Sequence, residues 1–379
     1  MKLAKIETFI VPPRWLFVRI EDSEGGVGWG EASLEGYAEA VVGALEAFKD
    51  KLLGADPNNI EDIWQLAYRG GFYRGGPVLM SALSGLDQAL WDLKGKNLDL
   101  PVWQLLGGKV RERVQAYGWI GGDRPGDVAS AAKDRKAQGF NAVKMNGTPE
   151  LGYLEGDKAL KAVYDRVEAV KAEGLEVGID FHGRVHKPMA KQLMKMLEPL
   201  NPLFIEEPLL SENLEAIKEL SQNCVTPIAL GERLYSRWDF KPFLESGVVD
   251  ILQPDLSHAG GISECKRIAN MAEAYDVAVA PHCPLGPLAL ASCLQIAAST
   301  HNVVLQEMSL GIHYNQGSDL HTYMQDPELL TPKEGFLKIP NGPGLGVEID
   351  EDKVRAANQD PHRWRNIIWR LDDGSYAEW

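Results

Sequence analysis

The sequence predicts an α/β protein: a (β/α)8-type barrel with an N-terminal α+β capping domain. Three observations carry this expectation. From about residue 114, short apolar runs alternate with helical stretches, as buried parallel strands do when they close into a barrel. Polar residues interrupt these runs at a near-constant interval, close to their carboxyl ends. Before residue 114 the texture is different: three short strands and then three helices, which suits a compact α+β module. The expected boundaries are 1–113 for the capping domain and 114–334 for the barrel, with 335–379 returning to the cap.

Taken in order, residues 5–11, 15–21 and 27–32 read as strands, joined by Pro12-Pro13 and by Gly25-Gly26. Gly26-x-Gly28-x-Gly30 lies inside this meander rather than at a strand-to-helix turn, so hairpin glycine is the better reading than a phosphate loop. Helical patterns follow at 37–53, 57–69 and 77–96, the second opening on Asp56-Pro57, a cap followed by proline. The barrel strands are expected at 114–120, 141–145, 177–181, 203–206, 227–231, 249–253, 277–280 and 303–306. A last short strand at 336–339 leads into a Pro/Gly turn and an aromatic end whose place the pattern leaves open.

Composition narrows the function classes. The 379 residues are 45% hydrophobic and 25% charged, which is ordinary for a globular enzyme-sized chain. A formal charge of −15 with no basic stripe argues against nucleic-acid and anionic-membrane partners. Cys224, Cys265, Cys283 and Cys293 form no C-x-x-C pair, so neither a zinc knuckle nor a disulfide framework is expected, and a reducing compartment is. The opening residues carry Lys2, Lys5 and Glu7 and no long apolar run, so no signal peptide is expected; with no transmembrane stretch either, the cytoplasm follows.

The polar interruptions carry the chemistry. Lys144, Asp180 with His182, Glu206, Glu232, Asp255, His282 and Glu307 all fall at or just after expected strand ends. From Asp180 the steps are 26, 26, 23, 27 and 25 residues, each about one βα unit, so these side chains face one mouth. Asp180, Glu206 and Glu232 on consecutive strands make an oxygen-rich site. Their mutual repulsion calls for a cation, and all-oxygen ligation suits Mg²⁺ or Mn²⁺. His182 and His282 would face each other across that mouth, and a carboxylate such as Asp255 can orient His282 as a general base. Lys144 stays open between binding a substrate carboxylate, acting as a base and pairing with the surrounding acids.

These residues resemble the enolase superfamily and its mandelate racemase subgroup. The resemblance spans essentially the whole chain. It rests on Val143-Lys144-Met145-Asn146-Gly147, Asp180-Phe181-His182-Gly183-Arg184, Phe204-Ile205-Glu206-Glu207-Pro208 and Gly231-Glu232-Arg233. Gln253-Pro254-Asp255, Pro281-His282-Cys283-Pro284-Leu285-Gly286-Pro287 and Gly311-Ile312-His313-Tyr314-Asn315-Gln316 extend it, and with the Asp-x-His they point to dehydratases acting on D-galactonate. The resemblance implies a (β/α)7β barrel and one Mg²⁺ per subunit on Asp180, Glu206 and Glu232. It also implies His282 with Asp255 as base for the C2 proton, His182 as acid for the departing 3-hydroxyl, and Glu307 as donor to the enediolate. The second lysine of the racemases' Lys-x-Lys is Asn146 here, which disfavours two-base chemistry through lysine. Lys144, Asn146, Arg14, Trp15 and His313 are the candidate substrate contacts, Arg14 and Trp15 having packing between cap and barrel as the competing role. Residues 72–74 are weighed the same way. The expected partner is a small sugar acid, and a homo-oligomer is expected. Dehydration of another acid such as a gluconate, racemisation of a 2-hydroxy acid, or a non-catalytic sensor are the alternatives.

Overall fold

A computed structural model describes residues 1–123 and 126–379. The chain opens with β1 (Leu3–Val11), β2 (Trp15–Asp22) and β3 (Val27–Glu31), an antiparallel sheet in the order β1-β2-β3. Against it pack α1 (Ala38–Leu52), α2 (Ile60–Arg69) and α3 (Gly76–Leu98), followed by the short α4 (Val102–Leu105). The expected glycines earn their place by close approach. A Cβ at Gly28 would lie 2.2 Å from the Ala89 carbonyl oxygen, and one at Gly30 would lie 2.1 Å from that of Gly85, so α3 rests directly on β3.

The second unit alternates without a break through β4 (Arg113–Ile120), α5 (Val128–Ala137), β5 (Ala142–Asn146), α6 (Asp157–Ala172), β6 (Glu176–Asp180), α7 (Lys187–Leu197), β7 (Phe204–Glu206) and α8 (Leu214–Ser221). It goes on through β8 (Ile228–Leu230), α9 (Arg237–Ser246), β9 (Ile251–Leu252), α10 (Gly261–Glu273), β10 (Ala278–Val279), α11 (Pro287–Ser299) and β11 (Leu305–Met308). The strands pair in parallel in the order β10-β9-β8-β7-β6-β5-β4-β11, and a parallel bridge from Val279 to Val303 joins the two ends. Seven helices lie between eight strands among the described residues, the expected (β/α)7β arrangement.

Inside the barrel, Tyr117 and Phe204 pack edge to face at 6.1 Å and fill the room left by Ala142, Gly178, Ala229 and Ala280. Period-2 alternation puts Trp119, Lys144, Asp180, Glu206 and Glu307 on that same inward face, nearer the carboxyl ends. The larger apolar core lies between the strands and the surrounding helices.

The segment after 335 first joins the barrel sheet. β12 (Phe336–Lys338) pairs antiparallel with β4, because β4 extends below β5, whose pairing starts only at Tyr117, and leaves that edge of its first residues unpaired. The return comes later, where α12 (Glu351–Ala357) packs on β1 and the Asn358 side chain accepts the Ile10 N–H at 2.8 Å. No helix among the described residues is long and apolar enough to cross a membrane.

Candidate active site

The mouth of the barrel holds a cavity of about 180 Å³, bounded on one side by strand ends and on the other by the cap and the last residues of the chain. Lys144 is at its floor, fully buried, with Nζ 2.8 Å from Glu206 Oε1, 3.1 Å from Glu307 Oε1 and 3.5 Å from Asp180 Oδ2. Burial works against its charge, but Glu206 and Glu307 outweigh it and hold its pKa well above the ordinary lysine value. This favours a charged Lys144 paired with the surrounding acids over a base.

Asp180, Glu206 and Glu232 end or follow three adjacent strands. Burial raises the pKa of each above the usual carboxylate value; repulsion adds to it, from Glu206 on Asp180, Glu232 on Glu206 and Glu307 on Glu232, while Lys144 opposes it in all three and Arg233 in Glu232. Glu206 is the most engaged, since Gln253 Nε2 also donates to its Oε2 at 2.6 Å. Asp180 Oδ2 and Glu232 Oε2 are buried without a hydrogen-bond donor. Ligand atoms of Asp180, His182 and Glu232 all lie within 4.8 Å of one another. Acceptor oxygens with no donor, in a nest of acids, fit a hard cation better than they fit hydrogen bonding. Gly231 makes the Glu232 position: a Cβ there would meet the Gln253 backbone at 2.8 Å, so only glycine lets the chain turn at that point.

Two histidines stand on opposite sides of these acids, on strands four steps apart in the eight-strand ring. His282 Nδ1 is 2.8 Å from Asp255 Oδ2, and its Nε2 faces Glu232 Oε2 at 3.2 Å. The Ser257 N–H donates to the other Asp255 oxygen at 2.6 Å, which fixes the carboxylate. Burial, followed by Lys144 and His258, pushes the His282 pKa well below the ordinary histidine value, so its ring is neutral near neutral pH. With the proton on Nδ1 toward Asp255, the Nε2 lone pair faces the acids.

His182 is held by a strained turn. Its φ is +50°, in the left-handed region, and the next residue, Gly183, is at +62°. Its own N–H donates to Asp180 Oδ1 at 2.7 Å, and its carbonyl accepts from Arg233 Nη2 at 2.7 Å. Arg184 Nη2 donates to Nδ1 at 2.9 Å; since arginine cannot accept, the ring proton belongs on Nε2, 3.3 Å from Asp180 Oδ2. Burial, and then Arg184 and Arg233, pushes this pKa well below the ordinary value too. Glu307 Oε2 accepts the Cys283 N–H at 3.0 Å, and burial raises its pKa despite Lys144.

The expected substrate contacts divide. Arg14 lines the cavity, its guanidinium 3.8 Å from the Tyr314 ring centroid and 3.6 Å from Glu35. Trp15 does not: it is fully buried, stacked on Phe17 and edge to face with Tyr323, and its role is packing. Asn146 gives both amide hydrogens to the carbonyls of Gly122 and Asp123 and so holds the turn after β4. His313 lies tilted against Tyr314 with Nε2 3.4 Å from Asp123 Oδ1, outside the cavity wall. Phe72 and Tyr73 stand in solvent, 92% and 86% exposed.

Sequence reasoning passed over Arg184 and Arg233, which orient His182, and Glu35, whose carboxylate sits between Arg14 and His258. The first two lie inside the quoted motifs, one two residues past His182 and one directly after Glu232. Glu35 belongs to a cap loop with no periodicity to mark it.

Comparison with known proteins agrees with this fold. Residues 9–107 match the mandelate racemase / muconate lactonizing enzyme N-terminal domain, and residues 127–353 match the enolase C-terminal domain-like family. A protein of Agrobacterium radiobacter, named as a candidate galactarate dehydratase and solved with sodium and L-malate bound, is 33% identical, with a TM-score of 0.90 over 100% of both chains. Candidate dehydratases of Mesorhizobium loti and Zymomonas mobilis are 29% and 31% identical, with TM-scores of 0.88 and 0.86, each covering 94% of this chain and 98% of its own. The chain belongs to the enolase superfamily and is an enzyme of its dehydratase- and racemase-like branch.

Proposed function

We propose that this enzyme dehydrates D-galactonate to 2-dehydro-3-deoxy-D-galactonate and water, using one Mg²⁺ per subunit held by Asp180, Glu206 and Glu232. Superfamily sites of this kind combine a Lys or His base with Mg²⁺, which when bound stabilises negative charge developing on the substrate carboxylate. The observation that carries the reading is the pair of histidines across the acid cluster, each with one ring nitrogen fixed: His282 by Asp255, His182 by Arg184.

In this reading His282 Nε2 takes the C2 proton, and the electron pair moves into the enediolate. The C3–O bond then breaks, and His182 in its imidazolium form gives its Nε2 proton to the leaving oxygen and ends neutral, since hydroxide leaves poorly. Lys144 contributes a fixed positive charge beside the carboxylate, and Glu307, its pKa raised by burial, donates toward the enediolate. The enol released tautomerises to the 2-keto acid. We place the enzyme in the cytoplasm as a homo-oligomer acting on a small molecule, without nucleic-acid or membrane partners.

A second reading has one observation in its favour. The two imidazoles lie on opposite sides of the site, as two-base epimerisation at C2 requires, one ring neutral to take the proton and the other protonated to return one. Exchange or inversion at C2 without loss of the 3-hydroxyl favours it. The deciding experiment is a panel of sugar acids, including galactonate, gluconate and galactarate, incubated with the Mg²⁺-loaded protein and assayed for 2-keto acid. D-galactonate is expected to react. If only another acid reacts, the substrate assignment fails and the chemistry stands; if none reacts, the dehydration reading fails.

A further inference from the structure

The last nineteen residues pose a question the reaction does not answer. None of residues 361–379 is buried, so the segment adds nothing to either core. Yet it is held in place. Arg365 grips Glu39 of α1 with both oxygens at 2.7 and 3.2 Å, and residues 369–377 fold back as a hairpin through the Leu371 N–H to Ser375 and the Ala377 N–H to Trp369. The Trp379 indole N–H closes the loop on the Ile367 carbonyl at 2.9 Å.

What this anchoring delivers is three side chains to the cavity wall: Trp364, Asn366 and Trp379. The Trp379 ring centroid lies 6.1 Å from that of His182. Trp364 meets Tyr314 edge to face at 5.4 Å and leaves Arg14 between two rings, 3.8 Å from one and 5.1 Å from the other. Asn366 reaches the wall over Gly36, where a Cβ would lie 2.8 Å from its Oδ1. A solvated strap with no core residues, fitted closely over Gly36, is held for what its inner edge touches.

We infer that this strap is the specificity wall for the substrate carbons beyond C3. Resting on the proposed function, His182 marks C3, so Trp379 beside it faces the next carbons of the chain. Indole rings suit the C–H faces of a polyhydroxy chain, and an amide suits its hydroxyls, whereas a short 2-hydroxy acid has nothing to place there.

Binding of hexonates and of glycolate to the full Mg²⁺-loaded chain, in the His282→Asn background so that no C2 proton is removed, tests this by calorimetry. Trp379→Ala should weaken hexonate binding by about tenfold and leave glycolate within about twofold, with Trp379→Phe recovering most of the loss. Equal weakening of both ligands, or of neither, overturns the inference. Because the assay reads binding, it separates from the reaction: a His282-intact protein that binds hexonates but forms no 2-keto acid removes the dehydration reading and leaves the wall standing. A protein that binds no hexonate overturns both.

Discussion

Asp255→Asn probes how the base is held. In the native site the Ser257 N–H donates to Asp255 Oδ1 at 2.6 Å, and Oδ2 faces His282 Nδ1 at 2.8 Å. In the variant the Ser257 N–H retains the amide oxygen on its side, so the NH2 group points at His282. Nδ1 must then accept, the ring proton moves to Nε2, and the lone pair that would take the C2 proton is gone. General-base catalysis contributes roughly 10²–10⁴-fold, so kcat should fall about 10³-fold, equivalent to about 4 kcal/mol of barrier. Asp255 lies behind His282 and does not line the cavity, so KM should change far less. The assay is 2-keto acid formation at saturating Mg²⁺, with circular dichroism and a thermal melt to establish that the variant is folded. A folded variant retaining kcat within about tenfold of the wild type would refute the tautomer argument.

Three further outcomes follow from the same geometry. Asp180, Glu206 and Glu232 have raised folded-state pKa values, so the stability they contribute is complete below their unfolded values and is lost as pH rises through the folded ones. Mg²⁺ bound there would take the place of those protons, so the rise in Tm on adding it after chelation should be larger at about pH 8 than at about pH 5; the reverse order counts against the metal site. The lowered His282 pKa puts the acid-side fall of kcat/KM below about pH 6.5, and a limb above that value contradicts a neutral base. Gly30→Ala drives a Cβ to 2.1 Å from the Gly85 carbonyl oxygen, so denaturant unfolding should show a loss of about 1–3 kcal/mol or more; an unchanged midpoint would mean that α3 can move away from β3.

The sequence carried the barrel clearly because parallel strands buried on both sides are apolar without interruption, and their βα period is long enough to count. Strand lengths were less legible: 249–253 shrinks to Ile251–Leu252, although the Asp250 and Gln253 N–H groups still donate to the Ile228 and Leu230 carbonyls of β8. The inward-facing acids and histidines could be placed because one residue type at one height per strand is a register signal. Cap residues have no such register. Arg14 lines the cavity while its neighbour Trp15 points into the core, a distinction set by strand alternation at a turn rather than by composition. Asn146 was visible as a departure from a lysine pair, yet its amide is used on the backbone of Gly122 and Asp123. The aromatic end could not be placed at all, since its contacts with α1 and with His182 join residues more than 190 positions apart.

The central claim is that two histidines divide one elimination between them, and a single variant separates their steps. His182→Asn, loaded with Mg²⁺ and incubated with D-galactonate in D2O, retains His282 and Asp255 but has no proton to give the leaving oxygen. The account predicts that deuterium still enters C2 while 2-keto acid formation falls by roughly 10²-fold or more. Formation of 2-keto acid at the wild-type rate would contradict it.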